Sequence, residues 1–176
     1  MAERIPYSYC ESLVKRQTKA EREMLDAFAA GDYTLEQPLI KLNPYLINPL
    51  SAVVLFRTEK ETAVTVTIYG KEERGNIVHT FPQAKEHILP IVGLYADCEN
   101  CVELRLYEGR AHKITIHTEP LSGDEPKLLS IHTELEYASE ELIFVTPSLN
   151  ALATAFDYRG DIRWHLTVPV VFDLKR

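Results

Sequence analysis

The feature that most constrains the fold is a change of hydrophobic period after Gly31. Beyond this glycine, apolar residues recur at every second position, as Val64, Val66 and Ile68 show. Side chains of a β-strand alternate between its two faces, so this period predicts strands with one face on a core and one face in water. The same alternation occurs at residues 102–106, 113–117 and 162–166.

Two further runs, at residues 51–56 and 88–92, are apolar almost throughout, which favours strands in the centre of a sheet. Glycine turns separate the strands. They occur at Gly70, at Gly75 with Asn76, at Gly109, at Gly123 with Asp124, and at Gly160 with Asp161. Many short antiparallel strands joined by such turns are typical of a sandwich or a barrel. We therefore predict a mainly β fold, built as an antiparallel β-sandwich.

Residues 8–30 are predicted to form a helix that precedes the strands. Ser8 and Glu11 have the spacing of a capping box, in which each side chain binds a free backbone N–H. Apolar residues fall on one side at helical spacing. They are Leu13, Val14, Met24, Leu25 and Phe28. Gly31 follows the last of these residues, where a left-handed helix end is cheapest for glycine.

Composition excludes several classes of function. Nineteen lysines and arginines stand against 26 acids, and the net charge of −7 argues against nucleic acid or an anionic membrane as partner. No apolar run approaches the roughly 18 residues of a membrane-spanning helix. Residues 1–7 lack the basic and apolar segments of a secretory signal. The expected location is the cytoplasm, or the periplasm if a leader has been removed.

Charge is concentrated near the middle of the chain. Residues 119–143 contain seven acids and one base, Lys127, and three turn-forming residues, Pro120, Gly123 and Pro126. Runs of one charge are usually solvated surface, so we interpret this stretch as an exposed boundary. An acidic docking patch is the alternative.

Cys98 and Cys101 form a Cys-x-x-Cys pair that precedes His112 and His117. Thiolates and imidazoles at comparable spacings bind zinc in zinc fingers. The two histidines lie in a strand pattern, however, and positions five apart on a strand point to opposite faces. A redox pair would need a helix N-terminus to lower the thiol pKa, whereas Cys101 leads into a strand. We assign no metal and no cofactor; a small metal or thiol protein remains an alternative.

The remaining candidate residues also have simpler interpretations. The six histidines are His79, His87, His112, His117, His132 and His165, and they occur in no nucleophile motif. Each is therefore interpreted as structural or exposed. Arg159, Gly160 and Asp161 match an adhesion tripeptide, but glycine followed by aspartate is also what a tight hairpin requires. We assign no catalytic residue.

Five segments, in order, resemble the N-terminal domain of bacterial arylsulfate sulfotransferases, which work without a nucleotide sulfate donor. They are NPYLINPLSA at 43–52, VTVTIYGK at 64–71, Phe81 with HILPIVGLYAD at 87–97, Asn100 with VEL at 102–104, and AFDYRGDIRW at 155–164. The resemblance covers the chain from about residue 32 onward. The last segment is similar to the start of the β-propeller of that family.

The resemblance implies a fold and an activity. The expected architecture is an Ig-like β-sandwich with an N-terminal helix, followed by the first strands of a β-propeller. The family transfers a sulfuryl group between phenols through a propeller histidine, and other histidines and an arginine stabilise the transferring oxygens. Family members are homodimers. The catalytic residues of the family match nothing in this chain, so phenolic substrates are expected only for the full-length enzyme.

The resemblance also suggests structural roles for single residues. The prolines and asparagines of the segment Asn43 to Pro49 would form a turn that enters the sandwich. Gly93 would let the chain bend after the strand at 88–92. Trp164 would anchor the core, where its indole N–H would need a partner.

We therefore divide the chain into a helical segment (1–32), a β-sandwich accessory domain (33–120), and a linker with the first strands of a truncated propeller (121–176). The expected function is that of a non-catalytic region that serves assembly, as a homo-oligomer formed through exposed strands after Leu142. The alternative is a self-contained sandwich that binds protein or glycan, with Tyr107 or the acidic stretch in the contact.

Overall fold

A computed structural model describes residues 7–121, 123, 125–126, 129–132, 134, 141–146 and 153–167, and the side chains of the helix from residue 13 onward. The architecture is mainly β with one N-terminal helix, which confirms this part of the predicted fold. The elements are α1 (Tyr7–Ala30), β1 (Leu39–Leu42), β2 (Ser51–Ile68), β3 (Ile77–Val92), β4 (Cys98–Leu106), β5 (Ala111–Thr118), β6 (Ile143–Val145), β7 (Thr154–Phe156) and β8 (Ile162–His165). Within these ranges, no helix is long and apolar enough to cross a membrane.

The first five strands form one antiparallel sheet in which β2 is the central strand. β1 pairs with the beginning of β2, β4 pairs with its end, and β5 continues the sheet beyond β4. β3 runs beside β2 over nearly its whole length, from the pair Ser51 and Val92 to the pair Ile68 and Ile77. The run predicted as a strand at 51–56 and the alternating residues Val64, Val66 and Ile68 therefore belong to two halves of a single strand.

The long hairpin of β2 and β3 bends in its middle. Four residues of β2, 58–61, lie between the pairs Arg57 with Glu86 and Thr62 with Ala84, where β3 has only Lys85. Extra residues on one strand bend it and increase its twist. This bulge therefore folds the second half of the hairpin over the first half.

The bend closes the sheet around its own apolar core, as a half-barrel. Val54 and Leu89 face inward from the paired strand halves on one side of the bend. Val66 and Leu104 face inward from the second layer, which contains the end of β2 and β4. All four belong to one apolar cluster. All four side chains are at most 3% exposed. Removal of this apolar surface from water is the main favourable contribution to folding. A single sheet thus supplies both layers of the predicted sandwich.

The prediction of a central strand at residues 88–92 is wrong, because among the described strands β3 pairs with β2 alone and lies at the edge of the sheet. Ile88 and Val92 are 48% and 42% exposed on its outer face. Pro90 between them lacks a backbone N–H, and proline in a sheet is confined mainly to edges. Within this apolar run Leu89 and Ile91 are therefore buried, whereas Ile88, Pro90 and Val92 are exposed to solvent on the outer face.

Helix α1 covers part of the outer face of the first layer, and its bounds agree with the predicted 8–30. Met24 and Phe28 pack on Val53 and Leu55. Val14 and Leu25, which were predicted on the same side, are 57% and 39% exposed. They do not share the buried contact, because Leu25 is turned about 80° from the midline of Met24 and Phe28, and Val14 lies about 15 Å from Met24 along the helix axis. The predicted capping box of Ser8 and Glu11 lies outside the described side chains.

The helix ends at Ala30 as predicted, but for a different physical reason. Gly31 does not adopt a left-handed conformation. A Cβ at this position would lie 2.5 Å from Cε2 of Tyr33, so the glycine makes room for that ring. Arg57 supplies the cap: its Nη1 donates to the carbonyls of Phe28 and Gly31, at 3.1 and 2.9 Å.

The entry loop to β2 is the turn that the prolines and asparagines predicted. The side-chain oxygen of Asn43 accepts from the backbone N–H of Asn48, and that of Asn48 accepts from the N–H of Leu50, both at 3.1 Å. Asn43 and Leu46 have positive φ values, of 41° and 60°. The carbonyl of Ile47 accepts from the N–H of Thr167 at 2.8 Å, so this loop also contacts the chain beyond β8.

Gly93 ends β3 with φ at +107°, as predicted, and a Cβ there would lie 2.3 Å from Cδ1 of Ile77. We expect Gly93→Ala to lower the free energy of unfolding by about 1–3 kcal/mol, from backbone strain together with this clash. Gly109→Ala is the matched control, because Gly109 has φ at +97° but nothing within 4 Å of a Cβ. Urea denaturation should give a larger loss for Gly93→Ala; equal losses would contradict the role of the close approach.

A second, three-stranded antiparallel sheet is formed by β6, β7 and β8. In β8 the alternation is as predicted but the buried face is the opposite one. Arg163 and His165 are fully buried, whereas Trp164 is partly exposed and lies 5.8 Å from the ring of Phe144. The prediction that Trp164 anchors the core is therefore wrong. Most of the acidic stretch 119–143 lies outside the described residues.

Candidate functional site

Polar side chains from both sheets converge between the end of the β2–β3 connection and the turn from β7 to β8. We call this set of contacts the junction. On the side of the five-stranded sheet it consists of Lys71, Glu72, Gly75, Gly93 and Tyr95, and on the other side of Asp157, Tyr158, Arg159, Asp161 and Arg163. It is the most extensive polar contact between the two sheets in the described part of the chain.

Arg163 is the centre of the junction, and none of its side chain is exposed. Its Nε donates to the carbonyl of Gly93 at 2.7 Å, and its Nη1 donates to the carbonyl of Gly75 at 2.8 Å. Both carbonyls belong to the first sheet and its turns, while Arg163 lies on β8. A buried guanidinium is costly unless it is hydrogen-bonded and paired, so these acceptors are needed wherever the two sheets meet.

Tyr95 and Asp157 complete the surroundings of the guanidinium. The Tyr95 ring centre lies 4.0 Å from the guanidinium carbon, and its hydroxyl accepts from Nη1 of Arg163 at 2.9 Å. The same hydroxyl donates to Oδ2 of Asp157 at 3.1 Å. That carboxylate oxygen is 3.6 Å from Nη1 of Arg163. Burial raises the pKa of Tyr95, so the phenol stays protonated at neutral pH and can donate.

Asp157 also shapes the turn that carries the charged residues. Its Oδ1 accepts from the backbone N–H groups of Arg159 and Asp161, both at 3.0 Å, and Gly160 has φ at +82°. An aspartate that binds the backbone two residues ahead is a common turn device. The predicted glycine turn between two strands is therefore present.

The adhesion tripeptide is used inside the molecule. Arg159 forms an ion pair with Glu72, which also accepts from the Tyr158 hydroxyl at 2.7 Å. Asp161 pairs with Lys71 at 2.8 Å. The hydrogen bond from Tyr158 and the charge of Arg159 lower the pKa of Glu72, so this carboxylate is ionised at neutral pH. The structure supports the interpretation of residues 159–161 as a structural turn.

Asn100 holds the loop that carries Tyr95. Its Oδ1 accepts from the N–H of Tyr95 at 2.7 Å, and its Nδ2 donates to the carbonyls of Tyr95 and Cys98, at 3.0 and 3.1 Å. The loop needs this support because Asp97 has φ at +50°. Asn100 is 2% exposed and replaces the strand pairing that the loop lacks.

The cysteines and histidines of the zinc hypothesis are not brought together. Cys98 and Cys101 are free thiols on opposite faces of β4, and His112 and His117 lie on opposite faces of β5. His117 lies between two carboxylates, 3.1 Å from Glu99 and 3.6 Å from Glu119. Among the residues that the structure describes, no three histidine, cysteine or acidic side chains are arranged to hold a metal ion.

The other histidines occupy separate places. His79 lies edge-on against Phe81, and His132 is exposed. His87 is buried at the bend of the hairpin, and His165 is buried on β8 with its Nδ1 2.9 Å from Oγ1 of Thr154. The structure therefore does not gather them around a shared cleft.

A hollow of about 540 Å³ lies at the bend of the hairpin. Its arginines are already paired, Arg57 with Glu86 at 2.9 Å and Arg110 with Glu36 at 2.6 Å. A smaller hollow of about 320 Å³ lies beside the junction and is lined by Lys71, which pairs with Asp161. Cations that are already matched by carboxylates offer little to an anionic ligand. The arrangement of the described residues is suited to holding two parts of the chain together.

Sequence reasoning missed the junction, although a signal was present. The segments at 64–71, 87–97 and 155–164 were singled out only for their resemblance to a family. Their ends supply Lys71, Gly93, Tyr95, Asp157 and Arg163, which meet in space. The segments that carry the family resemblance therefore contain residues that meet at the junction, whereas the hydropathy pattern does not mark these residues.

Comparison with known proteins identifies the first sheet. A family model described as the arylsulfotransferase Ig-like domain matches residues 39–121. This range begins at the first residue of β1 and ends just beyond β5. A search of curated proteins found no match to the chain. Residues 39–121 are an arylsulfotransferase Ig-like N-terminal domain.

Proposed function

We propose that this chain is the non-catalytic N-terminal region of an arylsulfate sulfotransferase, and that its Ig-like domain serves assembly. The family match supports the identity of the enzyme, and the junction supports the role. The observation that carries the proposal is the fully buried guanidinium of Arg163, which lies on one sheet and donates to carbonyls of the other. The three-stranded sheet corresponds, in this proposal, to the first strands of the propeller.

The chemistry of the junction explains why such a domain is useful. Hydrogen bonds to a planar guanidinium have fixed directions, so they define orientation as well as distance. Arg163 binds two carbonyls and one hydroxyl of the Ig-like domain at once. Charge pairs at the rim, Lys71 with Asp161 and Glu72 with Arg159, disfavour a shifted register. The domain would thus fix where the strands that follow begin.

The second part of the proposal is self-association through the three-stranded sheet. All three residues of β6 are exposed: Ile143 by 57%, Phe144 by 63% and Val145 by 40%. Among the described residues β6 pairs with β7 alone, so it forms an edge of the three-stranded sheet there. An exposed apolar edge strand is a template for pairing with another chain. We assign a second copy of this chain as the partner.

We expect Phe144→Lys to abolish self-association, because the added charge lies on the exposed face and beside the edge that would pair. Sedimentation velocity over a range of concentrations measures this directly. Tyr107→Lys is the matched control, since Tyr107 is 84% exposed on the turn between β4 and β5, in the other sheet. A wild-type chain that sediments as a clean monomer at high concentration would refute the proposed self-association.

A binding module is the second candidate function, and the exposure of Tyr107 favours it. Tyrosine supplies a large contact surface at low conformational cost and is enriched in binding sites. Under this alternative, Tyr107→Ala would abolish retention on a protein or glycan array while the oligomeric state stays unchanged. Under the assembly proposal, the same substitution has no effect on either measurement.

A further inference from the structure

His87 is a buried titratable group that the junction does not use. It is 2% exposed and stacks on Phe56, with ring centres 4.7 Å apart. His87 pairs with Phe56 on β2, and the next pair, Arg57 with Glu86, is the last one before the bulge. His87 is therefore the last inward-facing residue of β3 on this side of the bulge. The imidazole therefore lies where the two layers of the Ig-like domain diverge.

A hydrogen bond connects His87 across the bend. Its Nε2 lies 3.1 Å from Oγ1 of Thr58, and this hydroxyl donates to the carbonyl of Lys60 at 2.8 Å. Because the hydroxyl hydrogen is used there, Oγ1 accepts from His87, and the proton of the neutral imidazole is on Nε2. Nδ1 is then the nitrogen that would take up a second proton. Thr58 thus links β3 to the unpaired residues 58–61 of β2.

We infer that His87 makes this bend acid-sensitive: the closed bend buries a neutral imidazole, and protonation at Nδ1 favours an open form in which residues 58–62 separate from β3 and the imidazolium reaches water. The inference is independent of the assembly role proposed above. It concerns the bulge that shapes the Ig-like domain and not the junction with the second sheet.

The charged groups around the bend do not compensate a buried imidazolium. On β2 they are Arg57, Glu59, Lys60 and Glu61, and on β3 they are Lys85 and Glu86. Arg57 and Glu86 pair with each other on the outer face, opposite to the inward-facing His87. The others are exposed.

The neighbouring turn between β4 and β5 adds two more charges, and both have other partners. Glu108 accepts from the hydroxyl of Thr62 at 2.9 Å, and Arg110 pairs with Glu36. Burial lowers the pKa of His87 below its usual value of 6.5. Opening the bend would raise that pKa again, so the open form binds a proton that the closed form does not.

The direction of the pH effect follows from this difference. A group whose pKa is depressed in the closed form contributes stability above pH 6.5, and this stability is lost as the pH falls. Each pH unit below about 6.5 should increase the opening equilibrium constant about tenfold, until the pKa of the closed form is reached. Amide hydrogen exchange of the full chain measures this constant as a protection factor.

We expect the protection factors of Phe56 and His87, which pair with each other beside the bulge, to fall by up to about tenfold per pH unit below 6.5 until the pKa of the closed form is reached, while those of Val102 and Leu104 stay constant. His87→Phe keeps an aromatic ring against Phe56 but cannot titrate, so its protection factors should not depend on pH. His79→Gln is the control, because His79 is exposed on the same strand and should leave the wild-type dependence intact.

An NMR titration of the wild-type chain tests the inference even if His87→Phe does not fold. The His87 ring signal should titrate below pH 6.5, because burial lowers the pKa of this imidazole. A His87 ring signal that titrates at or above pH 6.5, or protection factors of Phe56 and His87 that are independent of pH, would overturn the inference.

Discussion

Replacement of Arg163 by methionine is expected to lower the free energy of unfolding by about 3–5 kcal/mol, because it removes one partner from a buried charged network. The carbonyls of Gly75 and Gly93 would lose their donor, and Asp157 would lose its nearest cation. Methionine retains much of the side-chain volume, so the loss measures the polar contacts. Chemical denaturation gives the free energy, and hydrogen exchange shows whether β7 and β8 lose protection first.

Arg159→Met is the matched control for this prediction. Arg159 lies in the same turn and is also ion-paired, but its side chain is 48% exposed. Exposed ion pairs contribute little to stability, so a much smaller change is expected. Equal losses for the two variants would mean that the guanidinium of Arg163 does not hold the sheets together.

The second large effect is expected for Asn100→Ala, with a loss of about 2–4 kcal/mol in the free energy of unfolding. The substitution leaves the backbone N–H of Tyr95 without its side-chain acceptor in a buried loop, and the carbonyl of Tyr95 keeps the Thr118 hydroxyl but loses Asn100. Because Tyr95 stacks on Arg163, the junction should also loosen. Urea denaturation measures the loss, and protection of the β8 amides reports the junction.

Glu99→Ala is the control for Asn100, since Glu99 is the adjacent residue of β4 with a side chain that is 66% exposed. Little change is expected there. Asn100→Asp would place a buried carboxylate against the carbonyls of Tyr95 and Cys98, so its loss should be at least as large as that of Asn100→Ala. A loss below about 1 kcal/mol for Asn100→Ala would contradict the structural role of this residue.

The strand pattern was predictable because alternation is a local property. Val64, Val66 and Ile68 face the core as expected. The bend was not predictable in the same way, because residues 58–61 look like a polar connection between two strands and not like a bulge within one. Pro90 argues against a central strand at 88–92, because proline in a sheet is confined mainly to edge strands.

The buried face of β8 shows the limit of hydropathy more clearly. Ranking side chains by polarity places Trp164 inside and Arg163 outside, and the structure has the reverse. The reason is long-range: acceptors at Gly75, Gly93 and Tyr95, at least 68 residues earlier in the chain, bind Nε and Nη1 of the guanidinium. A local pattern contains no information on such partners. The family resemblance does contain such information, because its segments include residues that meet at the junction.

One assay tests most directly whether this chain is non-catalytic, as proposed. The measurement is sulfuryl transfer from a chromogenic aryl sulfate to a phenol, with this purified chain alone. We expect no turnover above the uncatalysed rate. Turnover that follows the purified chain through fractionation would contradict the account, and single substitution of the six histidines would then locate the site.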